Sequence, residues 1–477
     1  MKIYIFLPFF LFLFFNSCEK KEVVKPNILF IFADDQTYHG INALGNNEVI
    51  TPNLDKLVHS GLTFTHTYNM GAWNGAVCIA SRAMLNTGRM LWRAKNIANT
   101  SYNSFKENKM FWSQIMEKAG YETYMTGKWH VNYPADSIFN FTGQIRPGMP
   151  ATVEESYNRP QSDKNSTWLP WQTKWGGFWE GGKHWSEVIS DETIEFLNQA
   201  KEKENPFFMY IAFNAPHDPR QSPKEFVNKY PLENISIPNS YLPEYPFKNE
   251  MGCTESLRDE RLAPFPRTEY SVKVHRQEYY AIITHMDEQV GKIISHLKKT
   301  RQDKNTYIIF SADHGLSCGN HGLMGKQNMY DHSMRVPLII AGPDIPKNEK
   351  REMQVYLQDL MATTLNIAGI NKPEYVDFNS LLPMIKSKDA TSNYHEIYGA
   401  YLNQQRMIRT ENYKLILYPE AKKYRLYNLK NDPEELTDIC DEPDKFPLIE
   451  DLAIKLKKQQ ILMDDTLDLT RFFPEIF

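Results

Sequence analysis

The stretch Val-Val-Lys-Pro-Asn-Ile-Leu-Phe-Ile-Phe at residues 23–32 is a β-rich apolar run that ends at Asp34-Asp35. Three further apolar runs have the same character, at residues 206–213, 306–310 and 336–341. Stretches with helical character, such as residues 107–120 and 188–203, lie between the runs. Continuously apolar strands that alternate with helices are typical of a parallel sheet covered on both faces. The sequence therefore predicts an α/β fold.

Polar residues capable of chemistry follow three of these runs at the point where each run ends. Asp34 and Asp35 follow the first run, and His217 lies just after the second. Asp313 and His314 follow the third. Because the carboxyl ends of parallel strands meet at one edge of a sheet, where α/β proteins place their functional sites, we expect these side chains to share a site.

Composition excludes several classes of protein. The chain has 477 residues, of which 42% are hydrophobic and 23% charged, as in an ordinary globular protein of two or three domains. Its 54 Lys and Arg residues balance 58 Asp and Glu residues, so the net charge of -4 gives no support for binding nucleic acid. Five cysteines are too few for a disulfide scaffold.

The N-terminus has the pattern of an export signal. Lys2 precedes an unbroken apolar run at residues 3–15, and Cys18 follows soon after. This resembles a bacterial lipoprotein signal, in which residues 1–17 are removed and Cys18 carries the lipid anchor; the alternative is an ordinary cleaved signal with an incidental cysteine. No other stretch is apolar enough to cross a membrane. We therefore expect a lipoprotein of the periplasm, outer membrane or cell surface, attached to the membrane only through lipid.

The pattern changes after about residue 385. Short runs separated by turn-forming residues are typical of an antiparallel sheet, and a helix at residues 447–463 follows them. The runs lie at residues 395–401, 406–410, 413–418 and 424–429. We predict a catalytic domain at residues 18–385 and a smaller α+β subdomain at residues 386–477.

The segment Cys78-Ile79-Ala80-Ser81-Arg82 is the most informative motif in the chain. A cysteine four residues before an arginine would, alone, more often be an ordinary buried cysteine. Here the segment resembles the signature of the sulfatase family, which is Cys or Ser, any residue, Pro or Ala, any residue, Arg. In that family the cysteine is oxidised to formylglycine, and the hydrated aldehyde is the nucleophile.

Other motifs of the family follow in the family's order, over nearly the whole mature chain. They are Asp34-Asp35-Gln36, Gly127-Lys128-Trp129-His130, Ala215-Pro216-His217, Ser311-Ala312-Asp313-His314-Gly315, Gly325-Lys326 and residues 424–435. The resemblance implies an alkaline phosphatase-like fold, with a mixed, mainly parallel sheet sandwiched by helices and a small C-terminal subdomain containing an antiparallel sheet.

The resemblance also implies a metal site. Its ligands would be Asp34, Asp35, Asp313, His314 and the formylglycine derived from Cys78. Carboxylate oxygens suit Ca²⁺ and also Mg²⁺, whereas an imidazole is a less natural ligand for these hard cations. The family has Asn or His at the position of His314, which keeps it in the predicted set.

Catalytic roles follow from the same resemblance. Cys78, as the formylglycine hydrate, would attack sulfur, and Arg82 would hold the hydrate. Lys128 and Lys326 would bind sulfate oxygens as their charge redistributes.

Two histidines would move protons. His217, with Lys326, would protonate the leaving sugar oxygen. His130 would assist the step that expels sulfate and restores the aldehyde.

Ala80 departs from the Pro that many family members have at this position. In the family, Cys with Ala there is associated with an oxygen-independent maturation enzyme. We therefore expect an anaerobic-type formylglycine-generating partner.

The substrate is predicted less directly. An exported enzyme meets polymers and their fragments, so we expect exo-acting hydrolysis of sulfated oligosaccharides from mucin, glycosaminoglycan or algal polysaccharide. Trp92, Arg93 and His184 are candidates for contacting the sugar, with loop packing as the alternative. Five of the nine tryptophans, between residues 168 and 185, form an aromatic loop. The sugar and the sulfated hydroxyl stay open.

Two other functions fit the same motifs. One is a phosphonate or phosphate ester hydrolase of this fold, since some of those also use formylglycine. The other is a non-catalytic sulfoglycan-binding lipoprotein, which would be expected to have lost site residues. Residues 239–268 carry no motif, and no function is predicted for them.

Overall fold

The computed structural model describes residues 25–161 and 167–477, together with Met1 and Ile3. The predicted signal core and Cys18 lie outside the described residues. Among the residues described, no helix combines the length and apolar character needed to cross a bilayer.

The described part of the chain contains thirteen strands. They are β1 (Asn27–Ala33), β2 (Leu62–Tyr68), β3 (Gly71–Ala72), β4 (Glu122–Lys128), β5 (Phe141–Arg146), β6 (Phe207–Ala212), β7 (Thr306–Ala312), β8 (Arg335–Ala341), β9 (Glu349–Tyr356), β10 (Ile397–Tyr401), β11 (Gln405–Arg409), β12 (Tyr413–Tyr418) and β13 (Lys423–Asn428).

The main sheet has the strand order β5-β4-β6-β1-β7-β8-β2-β9 within these residues. β1 pairs in parallel with both β6 and β7, as their apolar character predicts. The fourth apolar run, β8, is antiparallel to both its neighbours, β7 and β2. Residues 28–33 of β1 are all fully buried, and since alternate residues face opposite sides, both faces of the sheet are covered. The predicted mixed, mainly parallel sheet is confirmed.

Helices cover this sheet and connect its strands. Those described are α1 (Pro52–Ser60), α2 (Val77–Thr87), α3 (Leu91–Thr100), α4 (Tyr102–Glu107), α5 (Trp112–Lys118), α6 (Trp185–Lys201), α7 (Lys224–Val227), α8 (Glu269–Lys299), α9 (Asp331–Met334), α10 (Asp359–Ile367), α11 (Leu382–Lys386) and α12 (Phe446–Leu462). The helix predicted at residues 107–120 is instead split between α4 and α5. Lys109 lies between them with a φ of 53°, which no α-helix accommodates.

The second sheet has the order β13-β12-β11-β10-β3 in the described chain. Its four C-terminal strands form an antiparallel meander, which confirms the predicted antiparallel sheet, and α12 packs against β11. β3 joins its edge by pairing in parallel with β10. Gly71 of β3 has a φ of 88°, and a side chain there would collide with the carbonyl oxygen of Ala400. The two units predicted on either side of residue 385 therefore share this sheet.

Candidate active site

The carboxyl ends of β1 and β7 bring three aspartates together. The Asp313 backbone N–H donates to the Ala33 carbonyl at 3.2 Å, so the pairing of β1 with β7 continues to Asp313, the residue directly after β7. The Asp35 backbone N–H then donates to Asp313 Oδ1 at 3.1 Å. Asp34, Asp35 and Asp313 are all buried, as expected of side chains at the edge of a covered sheet.

Cys78 lies in the first turn of α2 and faces these carboxylates. Its Sγ is 3.2 Å from Asp34 Oδ1 and 3.6 Å from Asp35 Oδ1, and it accepts a hydrogen bond from Lys326 Nζ at 3.0 Å. Burial, and then the negative charge of Asp313, raise the pKa of this free thiol. An unmodified Cys78 is therefore held as a thiol, which is a poor nucleophile.

Buried cations compensate the acidic residues. Arg82, one turn along α2 from Cys78, donates from Nε to Asp313 Oδ2 at 2.8 Å and from Nη1 to the Lys128 carbonyl at 2.6 Å. Burial alone would raise the pKa of Asp313, but the charges of Arg82 and Lys128 hold it well below its usual range. The Lys128 ammonium is itself paired with Asp34. The carboxylate of Asp313 therefore stays ionised.

Lys326 and His217 contact Asp35, the neighbour of Asp34 in the chain. Lys326 Nζ donates to both carboxylate oxygens of Asp35, at 2.7 and 2.6 Å. Burial opposes this charge, but the Asp35 carboxylate raises the pKa of Lys326 well above its usual value. His217 Nε2 lies 3.4 Å from Asp35 Oδ2, while its Nδ1 lies 3.0 Å from Asp218 Oδ1.

The donors at this edge fit a divalent cation. One ligand atom each from Asp34, Asp35, Cys78 and His217 lie within 4.8 Å of one another. Burial raises the pKa of Asp34 well above its usual range, so this carboxylate gains from a nearby cation. This close group contains His217, whereas the predicted set contains Asp313 and His314 instead.

His314 also has a free ligand atom. Its Nδ1 bonds to the Gly315 carbonyl at 2.8 Å and therefore carries the proton. Its Nε2 is buried, and no partner for it is found among the described residues. Such a nitrogen is suited to binding a metal ion.

A cavity of about 450 Å³ opens above Cys78. The predicted residues His130, His217 and Lys326 line it together with Cys78. The neutral form of His130 dominates, because burial, and then the charge of Lys128, lower its pKa to about 2.

The lining residues that the sequence analysis missed include Met149, Arg258, Asp259 and Gln327. Arg258 and Asp259 belong to residues 239–268, for which no function was predicted. They follow no apolar strand and match no motif, so no sequence signal places them here.

The family model described as "Sulfatase" matches residues 26–370 of the chain. This chain belongs to the sulfatase family. A second model, "N-sulphoglucosamine sulphohydrolase, C-terminal", matches residues 319–461.

Two relatives show how far the similarity extends along the chain. An N-acetylglucosamine-6-O-sulfatase of Bacteroides thetaiotaomicron is 26% identical over 498 residues, which cover 88% of this chain and 84% of the relative. Arylsulfatase K of Bos taurus is 28% identical over 454 residues, covering 88% and 79%. The chain is a sulfuric ester hydrolase, as predicted.

Solved structures show the same fold. A protein in complex with its substrate D-glucosamine-2-N,6-O-disulfate has a TM-score of 0.71 at 22% identity, over 93% of this chain and 99% of that one. A phosphonate monoester hydrolase from Silicibacter pomeroyi has a TM-score of 0.72 at 19% identity, over 93% and 96%. The alkaline phosphatase-like fold predicted from the motifs is confirmed.

The structure of this sulfatase does not bring Trp92 and Arg93 into the cavity. Trp92 Nε1 donates to the Tyr398 hydroxyl at 3.0 Å. Arg93 pairs with Asp377 at 2.9 Å and with Asp464 at 2.7 Å. These contacts connect α3 to Asp377 and to the C-terminal residues Tyr398 and Asp464, and neither side chain lines the cavity.

His184 likewise does not line the cavity. It is fully buried, its Nδ1 accepts from the Ser186 N–H at the start of α6, and its Nε2 bonds to the Gln221 carbonyl at 2.9 Å. In the aromatic loop, Trp168 stacks on Trp175 with ring centroids 5.6 Å apart. The loop tryptophans are not among the residues that line the cavity.

Proposed function

We propose that this sulfatase releases sulfate from carbohydrate esters, with Cys78 converted to formylglycine and Ca²⁺ as its divalent cation. The observation that carries the proposal is the position of Cys78, whose Sγ lies within 3.6 Å of Asp34, Asp35 and Lys326 at the base of the cavity. An N-acetylglucosamine-6-O-sulfatase among the relatives supports a sugar as substrate.

The site has the charge that a sulfate ester needs. Such an ester has one negative charge on three terminal oxygens, and more negative charge develops on the leaving oxygen. The ammonium groups of Lys128 and Lys326 are buried and held by Asp34 and Asp35, so they stabilise this charge without first reorganising. The hydrated formylglycine formed from Cys78 would supply the attacking hydroxyl. The cation, when bound, would stabilise the charge on the sulfate oxygens.

His217 is oriented for proton transfer to the leaving oxygen. Asp218 lies 3.0 Å from Nδ1 and fixes the ring, so that Nε2 points into the site. A proton on Nε2 would be stabilised by Asp35 at 3.4 Å. His130 lines the same cavity as a neutral base that accepts a proton in the second half of the reaction.

The remaining parts of the proposal concern location and maturation. We place the enzyme outside the cytoplasm as a lipoprotein anchored through Cys18, where it acts on the ends of sulfated glycans. Its proposed maturation partner is the anaerobic type, because Ala80 follows Cys78 by two residues.

A phosphonate or phosphate ester hydrolase is the second candidate. Two observations favour it: the fold is shared with a phosphonate monoester hydrolase, and His314 offers an imidazole nitrogen that suits a transition metal. The third possibility, a binding protein without activity, would be expected to lack site residues, and all the predicted catalytic side chains are present.

Sulfate release from a panel of monosulfated sugars tests the proposal. The protein would be produced with an anaerobic-type maturation enzyme and assayed in Ca²⁺, with Cys78→Ala as the control. Release from one regioisomer, absent in the control, is the expected result. Formylglycine in the Cys78 peptide together with phosphonate hydrolysis and no sulfate release would favour the second candidate, as would a transition metal in the purified enzyme.

A further inference from the structure

One wall of the cavity is built by residues that take no part in binding the sulfate group. Arg258 and Asp259 lie there beside Gln327, and Met149 lies against the guanidinium of Arg258. The Arg258 side chain is 30% exposed, so it faces the space that the rest of the substrate must occupy.

Arg258 is close to the nitrogen that would donate a proton to the leaving oxygen. Its Nη2 lies 3.4 Å from His217 Nε2. The leaving oxygen would lie within hydrogen-bond distance of that same His217 nitrogen. A substituent on the carbon next to the sulfated carbon would therefore reach the guanidinium of Arg258.

The charge around Arg258 is already compensated. Its Nε donates to Asp259 Oδ1 at 2.8 Å, and Asp218 Oδ1 lies 3.6 Å from its Nη2. Asp259 is buried, and besides the hydrogen bonds from Nε and Nη2 of Arg258 to its Oδ1 it accepts one at Oδ2 from Gln327 Nε2 at 2.7 Å. One guanidinium between two carboxylates does not attract a further anion, but N–H donors beside a carboxylate acceptor suit a neutral hydroxyl group.

We infer that Arg258 and Asp259 bind the hydroxyl group on the carbon next to the sulfated carbon, and so select a sugar that is neutral at that position. Arg258 would donate a hydrogen bond to the hydroxyl oxygen, and Asp259 would accept a hydrogen bond from the hydroxyl O–H. This inference rests on the proposed carbohydrate sulfatase function. It adds a specificity-determining pair from a loop that carries no family motif.

The test combines an enzyme variant with a substrate variant. The parent substrate is the monosulfated sugar that the wild type hydrolyses fastest, and its analogues carry hydrogen instead of hydroxyl at each carbon next to the sulfated one. Arg258→Ala should lower kcat/KM on the parent by about 10- to 100-fold, the effect of one charge-assisted hydrogen bond. On one deoxy analogue the same variant should lose less than about threefold, because the hydroxyl is gone.

A second variant and a control keep the test decisive. Asp259→Asn should show the same dependence on the hydroxyl, since it keeps the volume of Asp259 and removes its charge. Arg261→Ala is the matched control, because Arg261 lies on the same loop, pairs with Glu154 at 3.0 Å and does not line the cavity. It should match the wild type on every substrate.

Three results would overturn the inference. Equal losses for Arg258→Ala on the parent and on all deoxy analogues would show that Arg258 acts only through His217. A wild-type preference for a second sulfate on the neighbouring carbon, lost in Arg258→Ala, would show an anion site. Hydrolysis of an aryl sulfate with no sugar ester turned over would instead refute the proposed carbohydrate function, and the inference with it.

Discussion

The base of the cavity and its wall are built in different ways. At the base, Asp34, Asp35 and Asp313 follow strands of the main sheet, and each is paired with a buried Lys or Arg. In the wall, Arg258 and Asp259 come from an irregular stretch, and Arg258 is partly exposed to solvent while Asp259 is buried. The sheet therefore positions the base, whereas contacts between loop side chains position the wall, such as those of Asp259 with Arg258 and Gln327.

This difference separates chemistry from recognition. Residues at the base need fixed positions because they act on a sulfate group that is the same in every substrate. Residues in the wall meet the sugar, which differs between substrates, and loops on a rigid scaffold accommodate such differences. Changes at the base should therefore remove activity or stability, while changes in the wall should alter substrate preference.

The largest effect is expected for Cys78→Ala. Loss of the nucleophile should lower kcat by about 10⁴-fold or more on every ester, while the fold is retained. Sulfate release and circular dichroism would measure the two quantities. Cys440→Ala, which removes a free thiol of the C-terminal part, is the control and should keep full activity. Residual turnover in Cys78→Ala near the wild-type rate would contradict the assignment of the base.

Asp313→Asn should have the next largest effect, on stability as well as on rate. Arg82 is fully buried, and the change leaves its charge without its 2.8 Å partner. Breaking a buried ion pair in this way costs about 3–5 kcal/mol of unfolding free energy, measurable by denaturant titration. Glu154→Gln, which breaks an exposed pair with Arg261, should give no measurable change. Similar stabilities for the two variants would mean that the base is not held by its ion pairs.

Asp359 is a buried carboxylate that, unlike Asp313, is not paired with a Lys or Arg side chain of the described chain. A pH titration of stability can show whether burial then keeps it protonated. Asp359 is fully buried and accepts hydrogen bonds from the Tyr356 N–H, the Asn379 N–H and the Tyr394 hydroxyl. Burial raises its pKa to about 7, in contrast to Asp313. The folded protein therefore binds a proton that the unfolded chain releases at a lower pH.

The sign of the expected change follows from this raised pKa. Stability contributed by protonated Asp359 is full below pH 4 and is lost as the pH rises to about 7. The Asp359→Asn variant should have a lower free energy of unfolding than the wild type. Measured by urea unfolding, this difference should shrink by about 2–4 kcal/mol between pH 4 and pH 7.5. A deficit that stays constant with pH would mean that Asp359 is ionised in the folded protein throughout this range.

The smallest effect is expected in the wall. Gln327→Ala removes the hydrogen bond that holds Asp259 Oδ2 and should raise KM by about three- to tenfold with little change in kcat. Initial rates on the preferred sugar ester would separate the two constants. A fall in kcat at constant KM would assign Gln327 to the chemistry of the base instead.

The sequence was sufficient for the base because apolar strands and acidic residues follow each other directly at β1 and β7. It was insufficient for β4, which carries Lys128. Thr123 and Thr126 of that strand are buried polar residues, satisfied by hydrogen bonds to Asn140 and Glu192, so the strand does not appear as an apolar run. A search for continuous apolar stretches therefore misses it.

The position of the candidate sugar-contacting residues away from the cavity has a similar explanation. His184, Trp92 and Arg93 were chosen by residue type and by their position along the chain. Hydrogen bonds to Gln221 and Tyr398, and ion pairs with Asp377 and Asp464, are long-range contacts that residue type does not reveal. The wall residues were missed for the same reason, since only the folded chain brings Arg258 near His217.

The pairing of β3 with β10 has a consequence for the order in which parts of the protein fold. β3 lies only a few residues before Cys78, and its partner Ala400 is synthesised long after it. Closing so long a loop is slow, so the segment before α2 is fixed late in folding. In the finished protein Cys78 is only 1% exposed. The enzyme proposed to convert Cys78 to formylglycine would therefore need to reach the thiol before β10 pairs with β3 and the fold closes around it.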